Sequence, residues 1–349
     1  MKATILTNEI AGSEQKWEIA CKKINLEYIV VDISKANWLE LIENFKPQIL
    51  LTRPAGLTSP FKILYDERLS ILVNELNYFC FPSLKEVLIY ENKKYFSYWL
   101  KANKIPHPKT NVFYFEKEAI DWSIKESKFP LVAKTNIGAS GSGVVILENK
   151  EELTNYIQST FSGKGATKRV GPNLKKGKIL QRGFRLLSKP KTLFKKIDIY
   201  KARALDAQKD FVLFQEYVPH SFEWRVVRMG ESFFAHKKLM LGNMTSGSLL
   251  KDYGNPPLEL LDFVKNITDI HQLYSQAVDV FESRNGYLVN EMQCIFGQSD
   301  AYQMKVNNSV GRYIYKHNQW EFESGDFNTN ECYDLRLKVA IELLTKLKN

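Results

Sequence analysis

The stretch FPLVAKTNIGASGSGVVIL, Phe129 to Leu147, constrains the fold more than any other part of the chain. An apolar run of β character, Pro130 to Ala133, delivers Lys134, and Val144 to Leu147 resumes a strand. Between them lie Gly138, Ser140, Gly141, Ser142 and Gly143, a linker without bulk whose backbone N–H groups are free to close over phosphate oxygens. The glycines run G-x-x-G-x-G and a strand follows, whereas the dinucleotide-binding fingerprint needs G-x-G-x-x-G and a helix. Ser162-Gly163-Lys164-Gly165 offers a GK, but glycine stands where a P-loop places the Ser or Thr that holds magnesium. Taken alone, a glycine hairpin is an ordinary turn. What lifts it above that lies downstream.

Asp279 sits in one apolar run, Ala277-Val278-Asp279-Val280-Phe281, and Glu291 in the next, Leu288 to Met292, with the turn residues Ser283-Arg284-Asn285-Gly286 between them. An acid inside an apolar strand is costly to bury without a partner. On antiparallel neighbours the two carboxylates face the same side, and Gln293, two residues beyond Glu291, adds a neutral oxygen to that face. Two carboxylates and an amide suit magnesium, which keeps phosphates and waters as its remaining ligands; the absence of nearby His and Cys spacing speaks against zinc.

Around these motifs the chain alternates β and α up to about residue 85. Ala3–Leu6, Glu27–Ile33 and Gln48–Thr52 read as strands, and Ser13–Lys23, with Ser13 as N-cap, and Ala36–Phe45 as helices. Arg53 follows the third strand, at the end where parallel sheets bind ligands, and is a candidate for an anionic substrate group. Leu84 to Asn103 reads as one long helix, followed by a proline-rich link, a strand at Asn111–Phe115 and a helix at Glu116–Lys128. Later elements are a helix at Asn149–Phe161, a strand at Phe211–Val218, a hairpin about Gly230-Glu231, a helix at Pro257–Leu273 and a last helix at Asn330–Leu347. The expected organisation is an N-terminal α/β domain, 1–85, a segment 86–215 carrying the glycine loop and a basic insertion, 163–208, and a segment 216–349 carrying the acids.

The ordered set Lys93, Lys134 with its glycine loop, Phe214-Gln215-Glu216-Tyr217-Val218, Glu223-Trp224-Arg225, Lys237-Lys238, Asp279 and Glu291-Met292-Gln293 resembles the ATP-grasp superfamily over residues 1 to about 300. The layout is similar to that of ribosomal-protein glutamate ligases and D-alanine–D-alanine ligases. The resemblance implies α/β and α+β architecture: a Rossmann-like pre-ATP-grasp domain, a small α+β lid and a C-terminal α+β domain. It implies ATP, with Lys93 and Lys134 on the phosphates under the loop Gly138–Gly143. Glu216, Tyr217 and Val218 then form the hinge beside adenine, and Glu223 holds the ribose. Arg225 and Lys237 or Lys238 line the acyl-phosphate side, with a one-residue ambiguity between the lysines. It also implies two magnesium ions, replaceable by manganese, on Asp279, Glu291 and Gln293. Gln293 departs from the asparagine common in the family, which lengthens the arm of one ligand. The reaction implied is ATP-dependent amide formation between a carboxylate and an amine; the large basic insertion alone points to a sugar acid or amino acid, in cell-surface polysaccharide or peptide tailoring, as the acceptor. An ATP-binding protein that no longer catalyses, and a ligase acting on a protein terminus, are the alternatives.

The net charge of +10 is concentrated: Lys164 to Arg203 holds fourteen Lys or Arg and one acid, Asp198. Within Lys191 to Leu205, the residues Leu193, Phe194, Ile197, Tyr200 and Leu205 are spaced for one apolar helical face. Docking on an anionic membrane, recruitment of an acidic polymer and a solvated cover over the site all fit. Nucleic acid does not, for want of a recognition motif and of stacking aromatics. Cys21, Cys80, Cys294 and Cys332 are far apart, as expected of reduced thiols, and no apolar run is long enough to span a membrane, so a cytoplasmic protein, peripheral at most and homodimeric on family grounds, is expected. The five histidines form no cluster; His220 and His236 can lie near the nucleotide, but each, like His107, reads first as structural or solvent-facing.

Overall fold

The computed structural model describes residues 1–7, 9–10, 12–54, 56–138, 141–166, 200–241, 244–245, 250–296 and 300–348. Strands β1 (Lys2–Leu6), β2 (Glu27–Val31), β3 (Ile49–Leu51) and β4 (Cys80–Phe81) pair in parallel in the order β2-β1-β3-β4. Ile5, Leu6, Leu50 and Leu51 are fully buried, which is why these strands read as continuous apolar runs rather than alternating ones. Helix α1 (Gln15–Lys23) buries Trp17, Ala20 and Cys21, α2 (Trp38–Phe45) buries Trp38 and Ile42, and α3 (Ser59–Ser70) buries Tyr65 and Leu69. Ser13 is not the N-cap of α1. That position belongs to Glu14, whose side chain makes no cap bond, and the Ser13 carbonyl instead accepts from Arg53 Nη1 at 2.8 Å.

The long helix expected at 84–103 is two helices, α4 (Leu84–Ile89) and α5 (Lys93–Ala102). Tyr90 is extended and Glu91 left-handed, with φ 48°. Asn92 then caps α5 by accepting from the Tyr95 amide, while Ser83 and Glu86 form a reciprocal capping box on α4. Capping competes with helix continuation, and the break puts Lys93 at the first turn of α5 instead of mid-helix.

A four-stranded antiparallel sheet follows, in the order β5-β8-β6-β7, from β5 (Thr110–Phe113), β6 (Leu131–Lys134), β7 (Val144–Leu147) and β8 (Val212–Glu216). One face packs Leu131, Ala133, Leu147 and Phe214 against α6 (Glu116–Lys125) and α7 (Lys150–Ser159), with the Trp122 and Phe214 rings stacked at 5.6 Å. The alternate residues Val132, Lys134, Val144, Ile146 and Leu213 are left for the other face.

The largest sheet is antiparallel and ordered β14-β13-β9-β10-β16-β15. It comprises β9 (Phe222–Met229), β10 (Ser232–Leu241), the short β11 (Met244–Thr245) and β12 (Lys251–Asp252) on β10, β13 (Ser275–Ser283), β14 (Gly286–Gln293), β15 (Lys305–Val306), β16 (Ser309–Lys316) and β17 (Gln319–Ser324). Helices α8 (Leu258–Ile270) and α9 (Tyr333–Lys348) join its main core through Leu260, Leu261, Val264, Leu337 and Ala340. Strands β15 to β17 were not among the expected elements. Their turns are Asn307-Asn308 and His317-Asn318, all four residues at φ between 48° and 65°, as two-residue hairpins of matching twist demand.

Much of the basic segment, 167–199, lies outside the described residues, including the expected apolar face at Leu193, Phe194 and Ile197. Its described ends meet: the Ala166 amide donates to Gln208 O at 2.8 Å. Gln208 also clamps the backbone of Ile137, accepting from its N–H at 2.8 Å and donating to its carbonyl at 2.6 Å. Asp206 accepts from Ser59 N and Oγ at the start of α3, at 3.1 and 3.3 Å. Among the described residues no helix is long and apolar enough to cross a membrane.

Candidate nucleotide and metal site

A cleft between the small sheet and the large one encloses about 1060 Å³, including space open to solvent. Val132, Val144, Ile146 and Leu213 from the small sheet line it together with Leu100 and Phe281, so much of its lining is apolar. Glu216, Tyr217 and Val218 border it where β8 ends, and Lys93, Lys134, Gly138 and Gly141 also line it. Expected positions from four separate segments thus meet in one cavity.

At the phosphate end, Lys93 Nζ donates to Gly138 O at 3.2 Å and pairs with Glu91 at 3.4 Å. Lys134 closes β6 and donates to Asn290 Oδ1 at 3.1 Å. Burial pulls the Lys134 ammonium down from 10.5 to about 8, with Glu291 opposing and Lys93 reinforcing the shift. Burial also pushes the Glu91 carboxyl up, against the pull of Lys93. Gly141 adopts φ 63°, and a Cβ on Gly143 would overlap the Thr135 side chain, so the loop root tolerates no side chain there. Ser142 is buried; Ser140 lies outside the described residues.

The acids follow from strand register. Asp279 stands directly opposite Glu291 on β14 and opposite Arg225 on β9; Arg225 in turn pairs with His236 on β10, and Glu223 with Lys238. Cross-strand partners share a face. Arg225 makes a bidentate contact with Asp279 at 2.8 and 2.9 Å, and Lys238 bridges Asp279 at 2.7 Å and Glu223 at 2.6 Å. Burial alone would raise the Asp279 carboxyl, but Arg225 and Lys238 outweigh it and hold the group well below the usual carboxylate range. Burial likewise works against Lys238, and Asp279 and Glu223 outweigh it, leaving the ammonium raised. This network is charged on both sides and almost closed to water.

The lysine ambiguity is settled by the pleat. Lys238 is on the acidic face, whereas Lys237 points to the opposite one, over the rings of Phe222 and Trp224 at 4.6 and 5.2 Å. Gln293 shares the face of Glu291 but sits opposite Ala277 at the strand end and does not line the cleft. Arg53 is also outside the cleft lining: its backbone N–H donates to Tyr65 Oη and its guanidinium to Ser13 O.

Two contributors were missed, Asn290 and Glu91. Between Asp279 and Val280 the register slips, leaving Asn290 as an extra residue on β14. Such a bulge re-aims a side chain, and here Asn290 lines the cleft beside Glu291, bridging Lys134 and Glu223 Oε1, the latter at 3.1 Å. His220, read as a structural or solvent-facing residue that could lie near the nucleotide, lines the cleft, 4.5 Å from the Phe281 ring. Glu91, hidden in what read as a helix, meets Lys93 at the loop. Only the Asn in an otherwise apolar strand gave any signal, and a bulge has no sequence signature here.

Asp279 and Glu291 oppose one another on neighbouring strands, and both Asp279 oxygens accept from Arg225 and Lys238. Among the described residues no three His, Cys, Asp or Glu side chains group tightly enough to cage a metal.

Comparison with solved structures agrees with this arrangement. A D-alanine–D-alanine ligase from Bacillus anthracis complexed with ATP superposes with a TM-score of 0.53 at 13% identity, covering 99% of this chain and 98% of that one. The N5-carboxyaminoimidazole ribonucleotide synthetase of Thermotoga maritima gives 0.54 at 14%, covering 97% and 75%. A RimK domain ATP-grasp protein from Sphaerobacter thermophilus gives 0.50 at 16%, covering 84% and 90%. The chain has the ATP-grasp fold. No protein-family model and no curated protein matches its sequence. At these identities the shared property is the ATP-grasp architecture itself: a parallel α/β sheet, then a small and a large antiparallel sheet with a cleft between them.

Proposed function

We propose that the chain is an ATP-dependent ligase that joins a carboxylate to an amine through an acyl phosphate, releasing ADP and phosphate. The observation that carries this reading is the convergence in one cleft of an apolar slot, two lysines at a glycine loop, Glu223 and Glu291, with Asp279, Arg225 and Lys238 forming a buried ion network on the same face of the large sheet. The proteins with which it shares its fold include a D-alanine–D-alanine ligase solved with ATP.

In this reading adenine lies between Val132, Val144 and Ile146 on one side and Leu100 and Phe281 on the other, against the backbone of Tyr217 and Val218. Glu223, His220 and Asn290 lie beside the ribose and α-phosphate, and Lys93 and Lys134 hold the outer phosphates. Asp279 and Glu291 would hold magnesium, with Gln293 at the edge; the ion supplies charge neutralisation for phosphoryl transfer. Arg225 and Lys238 keep Asp279 ionised and carry positive charge to the face where an acyl phosphate forms. The glycine loop covers the phosphates, since water would hydrolyse that intermediate. The acid remains a sugar acid, amino acid or peptide, and the basic segment Lys164–Arg203 adds docking on an anionic lipid surface or acidic polymer.

The test is ATP consumption with magnesium against a panel of carboxylates, with hydroxylamine as the amine and hydroxamate as the product detected. Hydroxamate from one acid, abolished by Glu291→Ala with folding retained, supports ligation. ATP binding without turnover on free, glycan or peptide acids refutes it. Liposome sedimentation with and without residues 164–203 tests the docking.

A further inference from the structure

Ile137 leads the chain from β6 into the glycine loop, and its backbone is held by a side chain 71 positions away in sequence. Gln208 Oε1 accepts from the Ile137 N–H at 2.8 Å, and Gln208 Nε2 donates to Ile137 O at 2.6 Å. This is the two-bond pairing that residues on neighbouring antiparallel strands make, supplied here by one amide side chain. Both residues are buried, and irregular backbone so far from water needs such a partner. Thr135 Oγ1 also donates to Ile137 O, at 3.1 Å, but the Ile137 N–H has Gln208 as its acceptor among the described residues.

The next residue is in the cleft. Gly138 O accepts from Lys93 Nζ at 3.2 Å, and both residues line the cavity. From the other side the same stretch is held by the first turn of α5: the Lys93 N–H donates to Asn136 O at 3.2 Å and the Lys94 N–H to Asn136 Oδ1 at 2.8 Å. The root of the loop is thus gripped between α5 and Gln208. Gln208 is itself fixed: its carbonyl accepts from the Ala166 N–H at 2.8 Å, and its Nε2 reaches Asp206 Oδ2 at 3.4 Å. That same Asp206 oxygen accepts from Ser59 at the start of α3. A loop that rises from a fixed root gives up less freedom when a ligand orders it. Gln208 belongs to none of the motifs that carry the ATP-grasp resemblance; it is a local device, set at the edge of the basic segment.

We propose that Gln208 is a positioning residue for the nucleotide: through Ile137 it fixes the root of the glycine loop and the Gly138 carbonyl beside Lys93, and so strengthens the hold on the phosphates of ATP. This rests on the ligase reading above. The test is isothermal titration of the full chain with MgATP, beside amide hydrogen exchange followed by mass spectrometry. Gln208→Met keeps nearly the same shape and makes neither hydrogen bond. It should bind MgATP about tenfold more weakly, the worth of one or two neutral hydrogen bonds. In the free variant, exchange should quicken in the peptide spanning 135–143 and keep the wild-type rate in β13 and β14, and saturating MgATP should slow it again. Gln208→Glu keeps an acceptor for the Ile137 N–H but turns an oxygen toward its carbonyl, so it should lose affinity in the same direction, and it serves where the Met variant does not fold. Either variant, folded and binding MgATP within about twofold of the wild type, overturns the proposal. Faster exchange spread evenly over the chain also overturns it, since Gln208 then supports the fold alone. A wild-type chain that does not bind MgATP overturns the ligase reading instead.

Discussion

With Lys134 on an outer phosphate, as proposed, nucleotide binding depends on pH. The lysine's ammonium, buried at the end of β6, is drawn from 10.5 down to about 8. A displacement of that size corresponds to ~3 kcal/mol of strain on the charged form. An outer phosphate of ATP restores the charge its environment withholds, so the complex binds the protonated lysine. Between pH 8 and 10.5 the free folded chain has lost a proton that the unfolded chain keeps. In that window rising pH therefore stabilises the free protein through this group and weakens its grip on nucleotide. Affinity for MgATP should be flat below about pH 7.5 and fall about tenfold per unit above 8, reaching ~30-fold by pH 9.5. Lys134→Arg, which stays charged throughout, should remove the dependence; Lys134→Met should stabilise the free protein by up to ~3 kcal/mol at pH 7 while abolishing tight binding. Isothermal titration calorimetry in buffers from pH 6.5 to 9.5 reads the affinities, and urea unfolding reads the stability. A wild-type affinity that stays level up to pH 9.5, or an Arg variant that follows the wild-type profile, refutes the reasoning.

Other expectations follow from the same geometry. Asp279→Asn leaves Arg225 and Lys238 without their shared counter-charge and should cost ~3–5 kcal/mol in urea unfolding as well as all turnover. Lys238→Ala should abolish ATP turnover, whereas Lys237→Ala, on the opposite face, should leave it within about twofold and cost ~1 kcal/mol of cation–π packing; equal loss from both would place the lysine register wrongly. Gly143→Ala should destabilise the loop root by about 1–3 kcal/mol and raise the apparent KM for ATP, with Thr135→Ala in the same chain recovering part of the loss.

What was legible in the sequence is what strand alternation and composition encode. The glycine loop, both hairpins of the acidic face and the pairing of Asp279 with Glu291 come through because each rests on a local pattern with one solution. The residues that escaped depend on competition between elements. Leu84 to Asn103 has unbroken helical periodicity, yet Asn92 caps a new helix and isolates Glu91 between the two. Lys237 and Lys238 are chemically identical in sequence, and only the register with Trp224 and Glu223 separates them. Asn290 reaches the cleft through a bulge, and a shift of one residue is invisible until the partner strand is present. The hairpins at Asn307-Asn308 and His317-Asn318 did carry a signal, since asparagine tolerates the left-handed region, but it is weaker than the Asn-Gly that marks such turns openly.

Residues 166 and 208 meet through a single backbone hydrogen bond, beside the clamp on Ile137. The described flanks of the basic segment form one doorway, which Asp206 ties further to Ser59 at the start of α3. Lengthening a loop whose ends are already joined costs only about 0.6 kcal/mol per doubling, so that doorway tolerates changes of length that no other part of the cleft wall would. It is where a reporter domain or new chain termini belong, and a lineage could exchange the intervening segment wholesale without rebuilding the nucleotide site beside it.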